Sequence, residues 1–318
     1  MEEKEYQALI DRATSVAQAN ENFSAILGVL RDVVNYGSNL VPLCFVSSKR
    51  TLEDAIVLGV LVRQAIAMFD AIEILLSNAA VYPCHLQTRA IFEASLYLEW
   101  MLQKDTEKRA KYYYVANVRQ ERVWAMRTQS GSSENVSYGK VMEPFGNLFP
   151  ETTKRLSVKG QEYLREIDRI LAQASFADID KGIDAYRAKR KTPYDPPWYA
   201  PLGPRSVRQL AEDLERLHEY ETIYAPSSEV MHSTSHKHHV KFSQGRIHFT
   251  PIRYLAGIDT IVKFSMATML KIYKDVLSHY RAGELSNFGK KYLDDWRQEF
   301  MGIPSVTYKD DPDDATVI

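Results

Sequence analysis

Two arrays of polar side chains could do chemistry in this chain: Arg89 and Glu93 in one apolar segment, and Tyr224, Ser228, His232 and His236 in another. Within each array the residues recur every four positions, which aligns them along one helical face. Burying a guanidinium, a carboxylate or an imidazole without partners costs roughly several kcal/mol, so two such stripes in one core are expected to face one another or a cleft. Arg89 suits bidentate contact with a phosphate, Glu93 could orient it or act as a base, and His232 could transfer a proton. Ser228, one turn before His232, could lose its proton to that ring, while Tyr224, Ser228 and Trp198 could contact a bound phosphate or base. Plainer readings stand beside these: an intrahelical ion pair for Arg89 and Glu93, a capping hydroxyl for Ser228, and a satisfied core histidine for His232.

Metal chemistry is an alternative. His232 and His236 stand at i and i+4, Glu229 precedes His232 by three residues, and His238 and His239 follow closely. Two facing histidines could bind a divalent transition metal, with Glu229 as a further candidate ligand. Glu215-Arg-Leu-His218 is a second Glu-x-x-His, and two such pairs would suit a di-metal helical bundle only if other helices supplied glutamates, of which Glu93 could be one. No nucleotide loop, zinc quartet or nucleophile elbow is present, so the leading expectation is chemistry without a cofactor. The basic run Arg187, Lys189, Arg190 and Lys191 reads better as a solvated helix end than as a nucleic-acid contact.

The elements that must position these residues are helical. The chain has 318 residues, 45% of them hydrophobic, enough to bury a substantial core. Its formal net charge is -1, from 40 basic and 41 acidic residues, so no global field recommends a membrane or nucleic-acid partner. Cys44 and Cys84 fit neither a disulfide framework nor a cysteine zinc site. The first residues lack the pattern of a signal peptide, and apolar runs such as Ala55 to Leu61 are too short to span a bilayer. A cytoplasmic protein without membrane association is the expectation.

Helical periodicity runs from Glu2 to about Tyr36, with a break expected near Asn20 to Asn22 and a loop at Pro42. Thr51 to Ser77 reads as a central core helix, interrupted by Arg63, Gln64 and Asp70. Pro83 opens the next, Leu86 to Leu102, and Thr106 to Arg127 follows. Gln129 to Pro150 reads as an unusually long connection, rich in glycine, serine and proline, that could act as a lid. Helices are expected at Thr152 to Ala174, Ile179 to Lys191, from Ser206, from Glu219 through His236, at Tyr254 to Tyr280 and at Leu285 to Phe300. Between them lies the segment 192–204, too rich in proline for a helix and too aromatic for a flexible linker. Val240 to Phe249 alternates around Gln244-Gly245 as one short hairpin. The resulting expectation is an all-α bundle: N-terminal helices over 1–50 packing on a single core of 51–302, then a disordered acidic tail over 303–318.

The helix Arg89-Ala-Ile-Phe-Glu93, the pair Trp198-Tyr199 followed by Ser206-Val-Arg-Gln-Leu-Ala211, and Tyr224-x-x-x-Ser228-x-x-x-His232 together resemble a bacterial helical family called domain of unknown function 5677. The resemblance spans about Leu75 to Lys271, and the family's motif positions fall on Arg89, Glu93, Tyr224, Ser228 and His232. A looser architectural similarity is to helical toxin and phage-defence domains, whose ribonuclease members pair an arginine with a histidine four to six residues later. No arginine here has such a histidine, so Arg89 with His232 would have to serve. The leading functional expectation is therefore metal-independent RNA cleavage of a toxin or defence type, with His232 as acid and base, Arg89 on the phosphate and Glu93 orienting. The alternatives are a non-catalytic module binding a nucleotide or a partner protein, and a metal-dependent hydrolase using Glu229, His232 and His236. Long apolar helices make a homodimer the expected assembly.

Overall fold

A computed structural model describes residues 10–306 except Asn147 and Gln244. The expected helix start at Glu2 and most of the expected acidic tail therefore lie outside the described residues. Of that tail, Ile303 is buried and Ser305 Oγ donates to Asp259 Oδ2 at 2.9 Å.

The described chain is all-α with one short hairpin. By its contacts it groups into two compact units, 1–104 with 207–318 and 105–206, where the sequence reading placed one core over 51–302. In the first unit, α1 (Arg12–Ser47) is continuous. The expected break at Asn20 to Asn22 does not occur, because Asn22 Nδ2 turns back onto the Gln18 carbonyl at 2.8 Å and caps nothing. Pro42 lies inside the helix rather than in a loop; Leu40 and Cys44 on either side of it are buried, and that packing holds the helix against the lost backbone hydrogen bond. At Gly37 a Cβ would collide with the hydroxyl of the buried Tyr273, which donates to the Val33 carbonyl at 3.0 Å.

Helix α2 (Leu52–Leu76) begins in a capping box, with Thr51 N donating to Asp54 Oδ2 at 3.0 Å, and winds through a π-helical stretch at Ala55–Val62. Its individual apolar runs are short, yet the helix as a whole is long and apolar enough to cross a membrane, and about half of its most apolar stretch is buried in the protein. Such a half-buried helix also fits a core element, and α2 packs on both α1 and α3 (Cys84–Gln103). Helix α3 is the hub of this unit, in contact with α2 and with later segments of the chain.

The second unit contains α4 (Thr106–Met126), α5 (Ser133–Met142), α6 (Leu148–Leu171) and α7 (Ala174–Arg190). Val115, Val118, Leu164, Ile167 and Ile183 form its core. The expected long connection at 129–150 holds α5: Gly131 turns with φ +83°, Ser132 caps the helix by accepting from Asn135 N at 3.0 Å, and these turn residues are a helix start rather than an irregular connection. The proline-aromatic segment packs as expected, with Trp198, Tyr199 and Ala200 buried and the Trp198 and Tyr113 rings 5.4 Å apart, edge to face. Asp195 anchors it by accepting from Arg119 Nε at 2.6 Å.

Back in the first unit follow α8 (Val207–Asp213), α9 (217–231), β1 (Val240–Ser243), β2 (Arg246–Phe249), α10 (Ile258–Tyr280) and α11 (285–302). The strands pair antiparallel from Val240 with Phe249 to Ser243 with Arg246, the register expected for the hairpin. Helices α8, α9 and α10 pack on α3, α10 also packs on α1, and Tyr36, Tyr273, Phe288 and Trp296 form an aromatic cluster where α11 joins them.

Candidate functional site

The site is built on one face of α3. Arg89 and Glu93 stand one turn apart on it, and Tyr224 and Ser228 approach from α9. Helix α9 carries a π-helical stretch, Tyr220–Tyr224, immediately before Pro226. Proline supplies no backbone N–H and crowds the preceding turn, and widening that turn accommodates it while keeping Tyr224 and Ser228 on the side facing α3.

Arg89 Nη2 donates to Tyr224 Oη at 2.7 Å, its Nε donates to Ser228 Oγ at 3.0 Å, and its Nη1 points at Met231 Sδ at 3.2 Å. The guanidinium also lies 4.7 Å from the Tyr224 ring centroid. Tyr224 in turn donates to Glu93 Oε2 at 3.0 Å, while Tyr97 donates to Glu93 Oε1 at 2.6 Å. Arg89 and Glu93 form an ion pair at 3.6 Å, longer than a hydrogen bond, and the two tyrosines supply the hydrogen bonds to the carboxylate. Burial first, and then the charge of Glu93, push the Tyr224 phenol well above its ordinary range, so at neutral pH it remains a donor. The expected meeting of the two stripes thus holds for Arg89, Glu93, Tyr224 and Ser228.

The histidine end of the second stripe does not stay on that face. Helix α9 stops at Met231, His232 is its exposed C-cap, and Ser233 turns with φ +56°. His236 sits on a separate 3-10 turn, His236–His238, so His232 and His236 are not one turn apart on a helix and do not form the expected ligand pair. Glu215, with φ +59°, lies beyond the end of α8, and His218 is exposed, so this Glu-x-x-His is not a helical pair either. Among the described residues no group of three His, Cys, Asp or Glu side chains is arranged to hold a metal ion. Trp198 belongs to the other compact unit, where it packs on Tyr113 and Tyr199.

Sequence reasoning missed the histidine nearest to Arg89 in its own helix. His85 continues the four-residue spacing backward, giving His85, Arg89, Glu93 and Tyr97, and its Nδ1 lies 3.3 Å from Ser227 Oγ. Its ring centroid is 5.4 Å from that of His238, and Tyr82 packs on His239 at 4.4 Å while its hydroxyl meets Ser235 Oγ at 2.9 Å. Burial, reinforced by His238, depresses the His85 pKa to about 4, so the ring is neutral at physiological pH and a weak base. The extra signal was the periodicity itself, which extends one turn past Arg89 to the residue beside Cys84.

A second polar layer, also missed, lies further along α3. Arg216, whose side chain is only 6% exposed, donates to Glu219 Oε2 at 2.6 Å, Ser95 Oγ at 3.0 Å and Glu99 Oε2 at 3.1 Å. Lys271 on α10 reaches Glu99 at 3.0 Å and Asp275 at 3.1 Å. This layer ties α3 to α10 and to the turn preceding α9.

Together these features define an all-helical protein in which a central helix presents an arginine–tyrosine–carboxylate relay. The chain belongs to the family of unknown function DUF5677, whose model matches residues 55–246, more than half of the chain. The match starts and ends earlier than the 75–271 span suggested by the motifs, and it contains Arg89, Glu93, Tyr224, Ser228 and His232. No curated protein and no solved structure matches the chain.

Proposed function

We propose that the Arg89 site takes a phosphoester of RNA and that the protein cleaves it without a metal. The observation that carries this reading is the state of Arg89 Nη1: its acceptor is a thioether, Met231 Sδ, on a residue that is 54% exposed. A thioether is a weak acceptor, so an incoming phosphate oxygen would replace it with a much stronger, charge-assisted bond. Tyr224 holds the guanidinium in place during that exchange, and Glu93 holds Tyr224.

His232 follows Met231 as the exposed C-cap of α9, off the Arg89 face, so the reading requires its side chain to turn toward a ligand held at Arg89. In the proposed step its imidazole takes the proton of the ribose 2′-hydroxyl as that oxygen bonds to phosphorus. The bond from phosphorus to the 5′ oxygen breaks, and the leaving oxygen recovers the proton from the imidazolium. Arg89 stabilises the charge that builds on the phosphorane oxygens.

A second reading is supported by the other two arginine contacts. Nε and Nη2 already have good internal acceptors, as expected of a non-catalytic module that only binds a nucleotide phosphate.

The test is incubation of the folded full chain with end-labelled RNA in the presence of chelator, comparing wild type with Arg89→Ala and His232→Ala. Chelator-resistant cleavage that falls about 100-fold or more in both folded variants supports the reaction. RNA left intact by folded wild type sinks it, and calorimetric binding of nucleoside phosphates that is lost in Arg89→Ala then favours the module.

A further inference from the structure

The outward face of α2 carries a pattern independent of the Arg89 site. Val60, Arg63, Ala67, Asp70 and Ile74 are all exposed; Arg63, Ala67, Asp70 and Ile74, spaced four, three and four residues on the α-helical part, lie along one stripe, and Val60 precedes them near the end of the π-helical stretch. Val60 and Ile74 remain 37% and 53% exposed. Arg63, Ala67 and Asp70 also border an apolar groove of about 760 Å³ between α2 and α1, whose other wall includes Val41, Pro42 and Phe45. The helix is strongly apolar, yet about half of its most apolar stretch is unburied. Leaving such a surface in water is unfavourable and marks it for a partner.

The order of chemical types along the stripe identifies that partner. Read forward it is apolar, cationic, small, anionic, apolar; read backward it is apolar, anionic, small, cationic, apolar. We infer that α2 is a homodimer interface in which two copies of the helix pack antiparallel about a two-fold axis at Ala67. In that register Val60 stands opposite Ile74 of the second copy, and Arg63 lies one residue, about 1.5 Å along the axis, from the level of Asp70 of the second copy, within side-chain reach, twice by symmetry. Arg63 and Asp70 are seven residues apart, about 10.5 Å along the axis, so both ion pairs form at once on either side of the crossing. Ala67 at the axis admits close helix approach, and the alternating spacing matches the shallow crossing of paired helices.

A parallel arrangement is disfavoured because it would set Arg63 against Arg63 and Asp70 against Asp70. A bilayer is a poorer occupant, because it would solvate neither charge. An unrelated helix would match the apolar groove but has no reason to supply the reversed charge order.

The experiment is sedimentation velocity on the full chain across a concentration series, with circular dichroism on every variant. Wild type is expected to sediment as a dimer. Arg63→Asp and Asp70→Arg each turn both cross-axis attractions into repulsions, and each alone is expected to weaken self-association at least about tenfold. The two variants mixed together are expected to regain the dimer, because each then offers the charges that the other lacks. A fold defect would not be repaired by mixing. A monomeric wild type, a dimer unaffected by either substitution, a mixture of folded variants that stays monomeric, or wild type that floats with phosphatidylcholine vesicles in place of dimerising would each overturn the inference.

Discussion

The two compact units each hold an arginine in a polar cluster, and the clusters differ in what they leave over. In the second unit Arg119, its side chain 11% exposed, is surrounded by Asp180, Asp184 and Asp195. Burial would lower its pKa, but hydrogen bonds to the three carboxylates outweigh that and hold it above the ordinary value. Every face of that guanidinium meets a strong acceptor, so the cluster is closed and its work is to tie α7 and the segment around Asp195 to α4. Arg89, 24% exposed, has one carboxylate at 3.6 Å, two hydroxyls and a thioether. A saturated arginine builds structure, while one positioned by neutral groups keeps charge available for a ligand.

The largest effect should come from the closed cluster. Arg119→Ala leaves Asp180 without its cation and Asp184 and Asp195 with only Arg187, at 3.2 and 3.3 Å, and is expected to cost about 3 kcal/mol in a denaturant titration. A loss below about 1 kcal/mol would mean that the aspartates separate into solvent freely and that the clamp is not closed.

Next in size is an acid sensitivity centred on His85. Its folded pKa of about 4 lies below the ordinary 6.5, so the unfolded chain takes up a proton that the folded chain refuses. Stability attributable to this group is intact above about pH 6.5 and is lost as pH falls toward about 4, by up to about 3 kcal/mol. Stability measured against pH should fall less steeply over that window in His85→Gln than in wild type; equal slopes would show that the ring next to Ser227 is protonated without penalty.

Much of this arrangement was legible in the sequence, and what failed did so for identifiable reasons. The four-residue spacing of Arg89 with Glu93, and of Tyr224 with Ser228, survives because each pair lies within one continuous helix. The same spacing misled at His232 and His236, since periodicity does not reveal that Ser233 adopts a left-handed backbone and ends the face. Asn22 and Pro42 were read as breakers, but side-chain back-bonding and packing at Leu40 and Cys44 overrode local propensity. Arg216 has one local partner, Glu219, and the pair reads as an ordinary surface i,i+3 contact; Ser95 and Glu99 lie far away in the chain, and only the packing of the folded helices brings them within reach.

A smaller effect separates the relay from simple packing. Tyr224→Phe keeps the ring against Phe92 and Tyr220 and removes the hydroxyl that links Arg89 to Glu93. The expected loss is about 1–2 kcal/mol, together with weaker phosphate binding as the guanidinium loses its support. Unchanged stability with unchanged binding would show that Glu93 and Arg89 act independently.

The smallest effect on stability, and the most telling, is expected for Arg89→Ala. Removing a buried ion-pair partner is ordinarily severe because the opposite charge is stranded. Glu93 is not stranded here, because Tyr97 and Tyr224 still donate to both of its oxygens. Tyr224 loses an incoming donor but keeps its own proton in use, and Ser228 still donates to the Tyr224 carbonyl at 3.0 Å. The loss should therefore be about 1 kcal/mol, well below that of Arg119→Ala, while binding of phosphate-bearing ligands disappears. A destabilisation as large as that of Arg119→Ala would make Arg89 a second closed clamp and remove the physical basis for assigning it a ligand.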